Sequence, residues 1–441
     1  MSSTTAAPPK ARPSSRHQGT QPAGGSTDAG GPASAGTTTS AGSWLHRLDA
    51  PVTSYYVLLS VTVVLVVIGL IMVLSASSVK SLVESDNATP YVYFRKQLVF
   101  AALGGVAMLV ASRVPVRAWK ALSLPILAGA LFAQLLVFSP LGVTVNGNRN
   151  WLAIGSFTLQ PSEFAKIGLV LVGAAVLSAK RRSLGRIRHV LVPYVVPVVA
   201  LTLVLVLAGH DLGTAMVMVG VVAAVLFAAG VPHRLFVWGG AAMVAGAATL
   251  VVTSPNRLAR FDVWLGKDTN PYGAARQPLH GRYALADGGW WGVGLGASRE
   301  KWQWLPEAHN DFIFAILGEE LGLPGTLVLL ALFCALALVC YRIVLRSNDL
   351  FVRIATAGVM AWIICQAVIN IGAVIGLLPV IGVPLPLVSY GGSSLMTTMF
   401  ALGILLSFAR QEPGCAAALS AKPSVVRRSL AVLPSRRARR R

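Results

Sequence analysis

Long, continuous apolar runs constrain this chain more than any other feature. About 20 apolar residues coiled as an α-helix cross the hydrocarbon core of a bilayer. The sequence supplies about ten such runs, at 56–76, 97–112, 121–138, 164–179, 190–207, 212–230, 235–252, 323–341, 354–378 and 393–408. Only helices or closed barrels satisfy the backbone in lipid, and unbroken runs are helices rather than alternating barrel strands. The expected fold is an all-α integral membrane protein with about ten transmembrane helices.

Composition agrees. Of 441 residues, 55% are hydrophobic and only 12% charged, against about 25% charged in a soluble domain. That excludes a disordered chain and an ordinary soluble enzyme. The formal net charge of +21 could suit a nucleic-acid binder, but such a protein needs no long apolar runs. The basic residues instead sort by connection: Arg113, Arg117 and Lys120, then Lys180 to Arg188, then Arg234, then Arg342, Arg346 and Arg353 fall in alternate loops. Basic residues are retained on the cytoplasmic side, and both tails are basic as well. Ten spans with both termini cytoplasmic fit this pattern and leave the opposite face electrically balanced. The inner charge sets topology and attracts anionic lipid; no nucleic-acid partner is expected.

Residues 1–54 are rich in Ser, Thr, Gly, Ala and Pro, without apolar periodicity, and read as a disordered cytoplasmic tail. They lack the pattern of a secretory signal, so the first span acts as an uncleaved anchor. Residues 55–410 form the membrane domain, and 411–441 a basic disordered tail ending in Arg436, Arg437, Arg439, Arg440 and Arg441. Cys334, Cys340 and Cys365 fall in spans and Cys415 in the tail, which implies neither a disulfide nor a metal site.

Three outer segments carry candidate chemistry. After the third span come Arg149 and Trp151, then Glu163 and Lys166 three apart at a helix start, where they share a face and can pair. An ionisable pair at the membrane edge is costly and suggests function, although a structural ion pair explains it equally well. The short turn 209–214 holds His210 and Asp211; Asp211 either caps the following helix or touches substrate. The third is a large extracytoplasmic loop, 253–322, between spans seven and eight, and loops this long are functional or disordered. It contains a glycine-rich stretch, 288–296, then Lys301, Glu307, His309 and Asp311. Its Trp290, Trp291, Trp302 and Trp304 suit the headgroup level of a bilayer, or could stack on sugars. A carboxylate desolvated at the membrane edge, as Asp311 would be, has a raised pKa suited to a general base.

At these residues the chain closely resembles the SEDS family (shape, elongation, division and sporulation) of multi-span peptidoglycan polymerases. The matching stretches are 146–166, 211–214, 289–321 and 370–394, including L-P-E-A-H-N-D-F-I-F-A-I-L-G-E-E-L-G and P-L-V-S-Y-G-G-S-S. The resemblance implies a glycosyl transfer on lipid II, a disaccharide–pentapeptide carried on undecaprenyl diphosphate. Asp311 matches the family's essential aspartate, the proposed base for the 4-hydroxyl of an incoming lipid II. Arg149, Glu163 and Lys166 would line or brace the outer cavity, with Arg149 and Lys301 as counter-ions for the diphosphate. Asp211, Glu307, His309, Ser389, Gly391 and Gly392 stand at motif positions assigned to substrate binding. No cofactor is certain; a divalent cation could share the diphosphate charge, though no clean ligand set is evident.

The chain departs from the pattern at His210, where proline is usual and the change is expected to loosen the turn, and at Asn150 and Asn310. The ending of the first span, G-L-I-M-V-L-S-A-S-S-V, and the long basic tails look like the division type (FtsW) more than the elongation type (RodA). The implied partners are a class B penicillin-binding transpeptidase and other division proteins, with the tails contacting that machinery or anionic lipid at the septum. The rival readings are a lipid II flippase, whose sites would lie near the membrane midplane, and a non-catalytic division scaffold.

Overall fold

The computed structural model describes residues 52–415, except 86–88, 146, 156 and 413. The expected tail disorder therefore lies outside the described residues, apart from the few at each boundary. The helices run α1 (Thr53–Glu84), α2 (Val92–Ala111), α3 (Val116–Leu136), α4 (Pro161–Ala179), α5 (Arg188–Ala208), α6 (Leu212–Ala228) and α7 (His233–Val252). They continue with α8 (Pro255–Trp264), α9 (Arg276–Gly288), α10 (Ile313–Arg346), α11 (Leu350–Val374) and α12 (Gly392–Ala409). Among the described residues, nine helices are long and apolar enough to cross a membrane, and α6 is a shorter apolar helix. Each falls on one of the ten apolar runs. The 17 residues of α6 rise only about 25 Å at 1.5 Å each, short for a core of about 30 Å.

The chain is mostly helical but not wholly so. Residues 142–159 form a three-stranded antiparallel sheet, β1 (Gly142–Val145), β2 (Asn148–Ile154) and β3 (Phe157–Leu159), in the order β1-β2-β3. It is a small addition to the all-α membrane fold that the sequence predicts and the helices bear out. These residues alternate too briefly, and among too many polar neighbours, to register as strands in a sequence dominated by spans.

The segment between spans seven and eight is also shorter than expected. Its last residues already belong to α10, which starts at Ile313 and continues past a break at Gly322 (φ 64°) followed by Pro324. The two carboxylates Glu319 and Glu320 look like loop residues, yet both are fully buried. The rest of the segment contains α8 and α9, and α9 packs against α10.

Burial is uneven across the bundle. α4, α11 and α12 are buried through most of their length, whereas α7 buries no residue at all. α4 packs on α3, α6 and α11, and α12 packs on α2. In lipid, association is driven by packing and interhelical hydrogen bonds rather than hydrophobicity. The polar residues inside this core, Glu163, Lys166, Gln366, Asn370 and Thr397, are accordingly bonded to one another or to backbone, as described next.

Candidate functional site

Asp311 lies in an irregular segment just before α10. Three consecutive backbone carbonyls hold that segment in place. His309 O accepts from Tyr390 N (2.9 Å), Asn310 O from Ser389 Oγ (2.6 Å) and Asp311 O from Asn370 Nδ2 (2.8 Å). Ser389 Oγ in turn accepts from Leu385 N (2.8 Å), and Asn370 Nδ2 donates also to Val383 O (2.8 Å). Gln97 of α2 completes the frame, donating to Ser389 O (3.2 Å) and accepting from Gly391 N (3.2 Å). Gly392 opens α12 with its Cα against the Phe100 ring, where a Cβ would collide. The S-Y-G-G motif is thus a clamp on the Asp311 segment, built from main chain and short polar side chains.

The residue Asp311 is half-buried, but its Oδ1 is closed off and has no hydrogen-bond partner among the described residues. Burial pushes its pKa up to about 7; the Glu307 carboxylate adds to the rise and the Arg260 guanidinium opposes it. The carboxyl therefore exchanges its proton near neutrality, as a general base requires. Arg260 is exposed on α8. His309 is 4% exposed, and burial, with the Lys80 ammonium adding, holds it down to about 3. Its neutral ring packs on Tyr93 (5.0 Å) and Tyr390 (5.5 Å). Glu307 adopts φ 55°, which turns its backbone carbonyl toward Asn310 N (3.0 Å), and its carboxylate lies 3.8 Å from Lys80 Nζ.

A second cluster sits at the start of α4. Lys166 Nζ lies 2.7 Å from Glu163 Oε1 and 3.3 Å from Gln366 Oε1, with the Trp362 ring 4.6 Å away. Gln366 Nε2 donates to Pro384 O (2.9 Å), one residue from the carbonyl that Asn370 holds. Gln366 and Asn370 are four apart and share a face of α11. That face joins the ion pair to the Asp311 clamp.

The other expected residues are engaged elsewhere. The Arg149 guanidinium donates to Val137 O (3.1 Å), Phe138 O (3.3 Å) and Ser139 O (3.0 Å), capping the end of α3. Lys301 is buried against Glu320 (3.4 Å) and Ser75 Oγ (3.2 Å). Asp211 caps α6, accepting from Thr214 N (2.9 Å), Thr214 Oγ1 (2.7 Å) and Gln160 Nε2 (2.9 Å); burial raises its pKa against those bonds from Thr214. The four tryptophans are all exposed.

A model of the family described as "Cell cycle protein", which groups FtsW, RodA and SpoVE, matches residues 56–413. The chain belongs to this family. Among its relatives is the probable peptidoglycan glycosyltransferase FtsW of Mycobacterium tuberculosis, 41% identical over 380 residues, which are 86% of this chain and 71% of that one. Stage V sporulation protein E of Bacillus subtilis is 38% identical over 354 residues, 80% of this chain and 96% of that one. Of solved structures, a chain from a peptidoglycan synthase complex that coordinates polymerization and crosslinking superposes with a TM-score of 0.65 at 26% identity, covering 81% and 97%. The rod shape determining protein RodA of Thermus thermophilus gives 0.58 at 26% identity, covering 81% and 96%.

The FtsW/RodA/SpoVE match includes every residue of both clusters. The turn at position 210 is well defined. His210 has φ 65° and donates its N–H to Leu207 O (2.9 Å), two things a proline cannot do. The turn is rebuilt rather than loosened. Gly209 allows this close approach, since a Cβ there would lie 1.9 Å from Asn150 Oδ1. Sequence reasoning left Asn370, Gln366, Gln97 and Arg260 out of the site. For the first two the available signal was a pair of amide side chains four apart in an otherwise apolar span.

Proposed function

We propose that this protein polymerises lipid II at the Asp311 end of its bundle, facing the extracytoplasmic side of the bacterial plasma membrane, during septal wall synthesis. The enzyme class is that of its relatives: the chain is a peptidoglycan glycosyltransferase of the division type. The observation that carries the placement of the chemistry is Asp311 itself, a clamped carboxyl with a pKa near 7. Asp311 takes the proton from the 4-hydroxyl of an incoming lipid II. The oxygen attacks C1 of the growing strand's reducing end, and the C1–O bond to the diphosphate breaks, releasing undecaprenyl diphosphate. A diphosphate is already a good leaving group, so positioning, one base and cationic stabilisation suffice.

Arg149 and Lys301 are held in structural bonds, so Arg260, exposed and within reach of Asp311, is the cation placed to meet the diphosphate. A divalent cation accompanying the diphosphate would find no group of three or more His, Cys, Asp or Glu side chains among the described residues. The partner in this reading is a class B penicillin-binding transpeptidase that cross-links the nascent strand. A solved neighbour comes from a complex that couples those two activities, which supports the pairing.

The test is polymerisation of purified lipid II by the purified protein, with and without its transpeptidase, comparing wild type with Asp311→Asn. Glycan strands made by wild type and not by the variant support the reading. Equal rates would refute the assignment of Asp311, and translocation of lipid II without polymer would mark a flippase.

A further inference from the structure

Beside Asp311 is a crevice with about 10 Å³ of space for the centre of a water molecule, room for one such molecule. Its walls are Ile369 and Ala373 of α11 and Val380 to Val383 of the following connection, with Asp311 and Asn370 at its polar end. Each of these two lining residues carries a buried oxygen. Asp311 Oδ1 and Asn370 Oδ1 each lack a hydrogen-bond partner among the described residues. Asn370 is 3% exposed, and its Nδ2 is already used twice, on Asp311 O and Val383 O. Its amide orientation is therefore fixed, with Oδ1 free to accept.

Two unpartnered side-chain acceptors at a space of this size define a complement. The occupant must donate twice and be no larger than water, and buried acceptors left unpaired are costly. We propose that Asn370 positions Asp311 through one bound water in this crevice, which donates one hydrogen to Asn370 Oδ1 and the other to Asp311 Oδ1. Held in that orientation, the water supports the ionised carboxylate on the Oδ1 side and leaves Oδ2, beside Gly382, to meet the acceptor hydroxyl. Asn370 is then a positioning residue, and the proposal rests on the reading of Asp311 as the base. The charged groups that reach Asp311 are Glu307 on its own segment and Arg260 on α8. α11 and the 380–383 connection present only neutral side chains to the crevice.

The test fills the crevice without touching the clamp. Ala373→Val adds two methyl groups to its wall and leaves both Asn370 Nδ2 bonds in place. Infrared titration of the purified full-length protein locates the carboxyl band of protonated Asp311 as the band missing from Asp311→Asn, and exchange into H2¹⁸O marks the bound water's O–H stretch. Wild type should show the isotope-sensitive stretch, and Ala373→Val should lose it. Because the variant removes a donor to the ionised form, the midpoint of the carboxyl band and the acid limb of the polymerisation profile should both move to higher pH, by about one unit. Asn370→Ala should also lose the water band; should it fail to fold because its clamp is gone, Ala373→Val still decides. A stretch and midpoint unchanged in Ala373→Val would overturn the proposal, as would a midpoint that moves when a chelator is added, which assigns the crevice to a cation. If Asp311→Asn polymerises at the wild-type rate while the water band behaves as described, the base assignment fails and the water stands.

Discussion

The Lys301 ammonium lies 3.4 Å from Glu320 Oε1, with 5% and 0% of the two side chains exposed. Ser75 of α1 bonds to both, donating to the same carboxylate oxygen at 2.5 Å. The pair thus ties the segment that follows the glycine-rich stretch to α1 and α10. Removing one partner of a buried pair strands the other charge, at a cost of about 3–5 kcal/mol, while replacing both with apolar groups is often near neutral. Lys301→Met should therefore lower the thermal midpoint of the purified protein sharply, and Lys301→Met with Glu320→Leu should recover most of the loss. A lysine acting on the diphosphate would give the opposite pattern: polymerisation lost at an unchanged midpoint, with no recovery in the double variant.

Lys301 also shows where the sequence was readable and where it was not. Helical spans announce themselves because twenty apolar residues have few other uses, and all ten runs became helices. Glu163 and Lys166 met as their spacing required, since i and i+3 share a face whatever surrounds them. What spacing could not tell was which cations are spent inside the fold. Arg149 and Lys301 look like ligands for a diphosphate because charge is all the sequence shows, but their partners are backbone carbonyls and a carboxylate brought in from distant segments. Glu319 and Glu320 shortened the apparent span for the same reason. Their partners, Ser298 Oγ and Arg299 N for Glu319 and the Lys301 ammonium for Glu320, lie about twenty residues upstream. The clamp through Asn370 was hidden by its modesty, one of two uncharged amides in an otherwise apolar run.

Arg149 should behave as a helix cap. Its three bonds to the carbonyls of residues 137–139 join β2 to the end of α3. Arg149→Ala leaves those carbonyls without their donor and should cost about 2 kcal/mol, within the range for hydrogen bonds to a charged group. Arg149→Lys should restore only part of this, since a lysine ammonium cannot span three oxygens as the planar guanidinium does. Thermal unfolding of the three proteins measures the order. A variant with an unshifted midpoint and a raised KM for lipid II would return Arg149 to substrate binding.

At position 210, a proline should do harm. His210→Pro imposes φ near −65° where the backbone stands at 65° and removes the N–H that bonds to Leu207 O. The loss should be about 3 kcal/mol or more, read as a lower thermal midpoint. His210→Gly, which accepts the same φ without strain, should fold at least as well as wild type. A proline variant as stable as wild type would show that the turn does not depend on the left-handed backbone at 210.

The last prediction separates activity from stability at Asp311. An ordinary aspartate titrates near 3.9 in the unfolded chain, and burial pushes this one up to about 7 in the fold. Between those values the folded state holds a proton that the unfolded state has released. Stability then falls as pH rises, from about pH 4 until the folded carboxyl is ionised above about 7. Asp311→Asn removes the titration while keeping size and polarity. Its thermal midpoint should match wild type near pH 4 and exceed it by a growing margin up to about pH 7, beyond which the margin stays constant. Over the same range wild-type polymerisation should rise with pH as the base becomes free, and the variant should remain inactive at every pH. A midpoint difference that does not change between pH 4 and 8 would show that Asp311 is not the buried, proton-exchanging group described here.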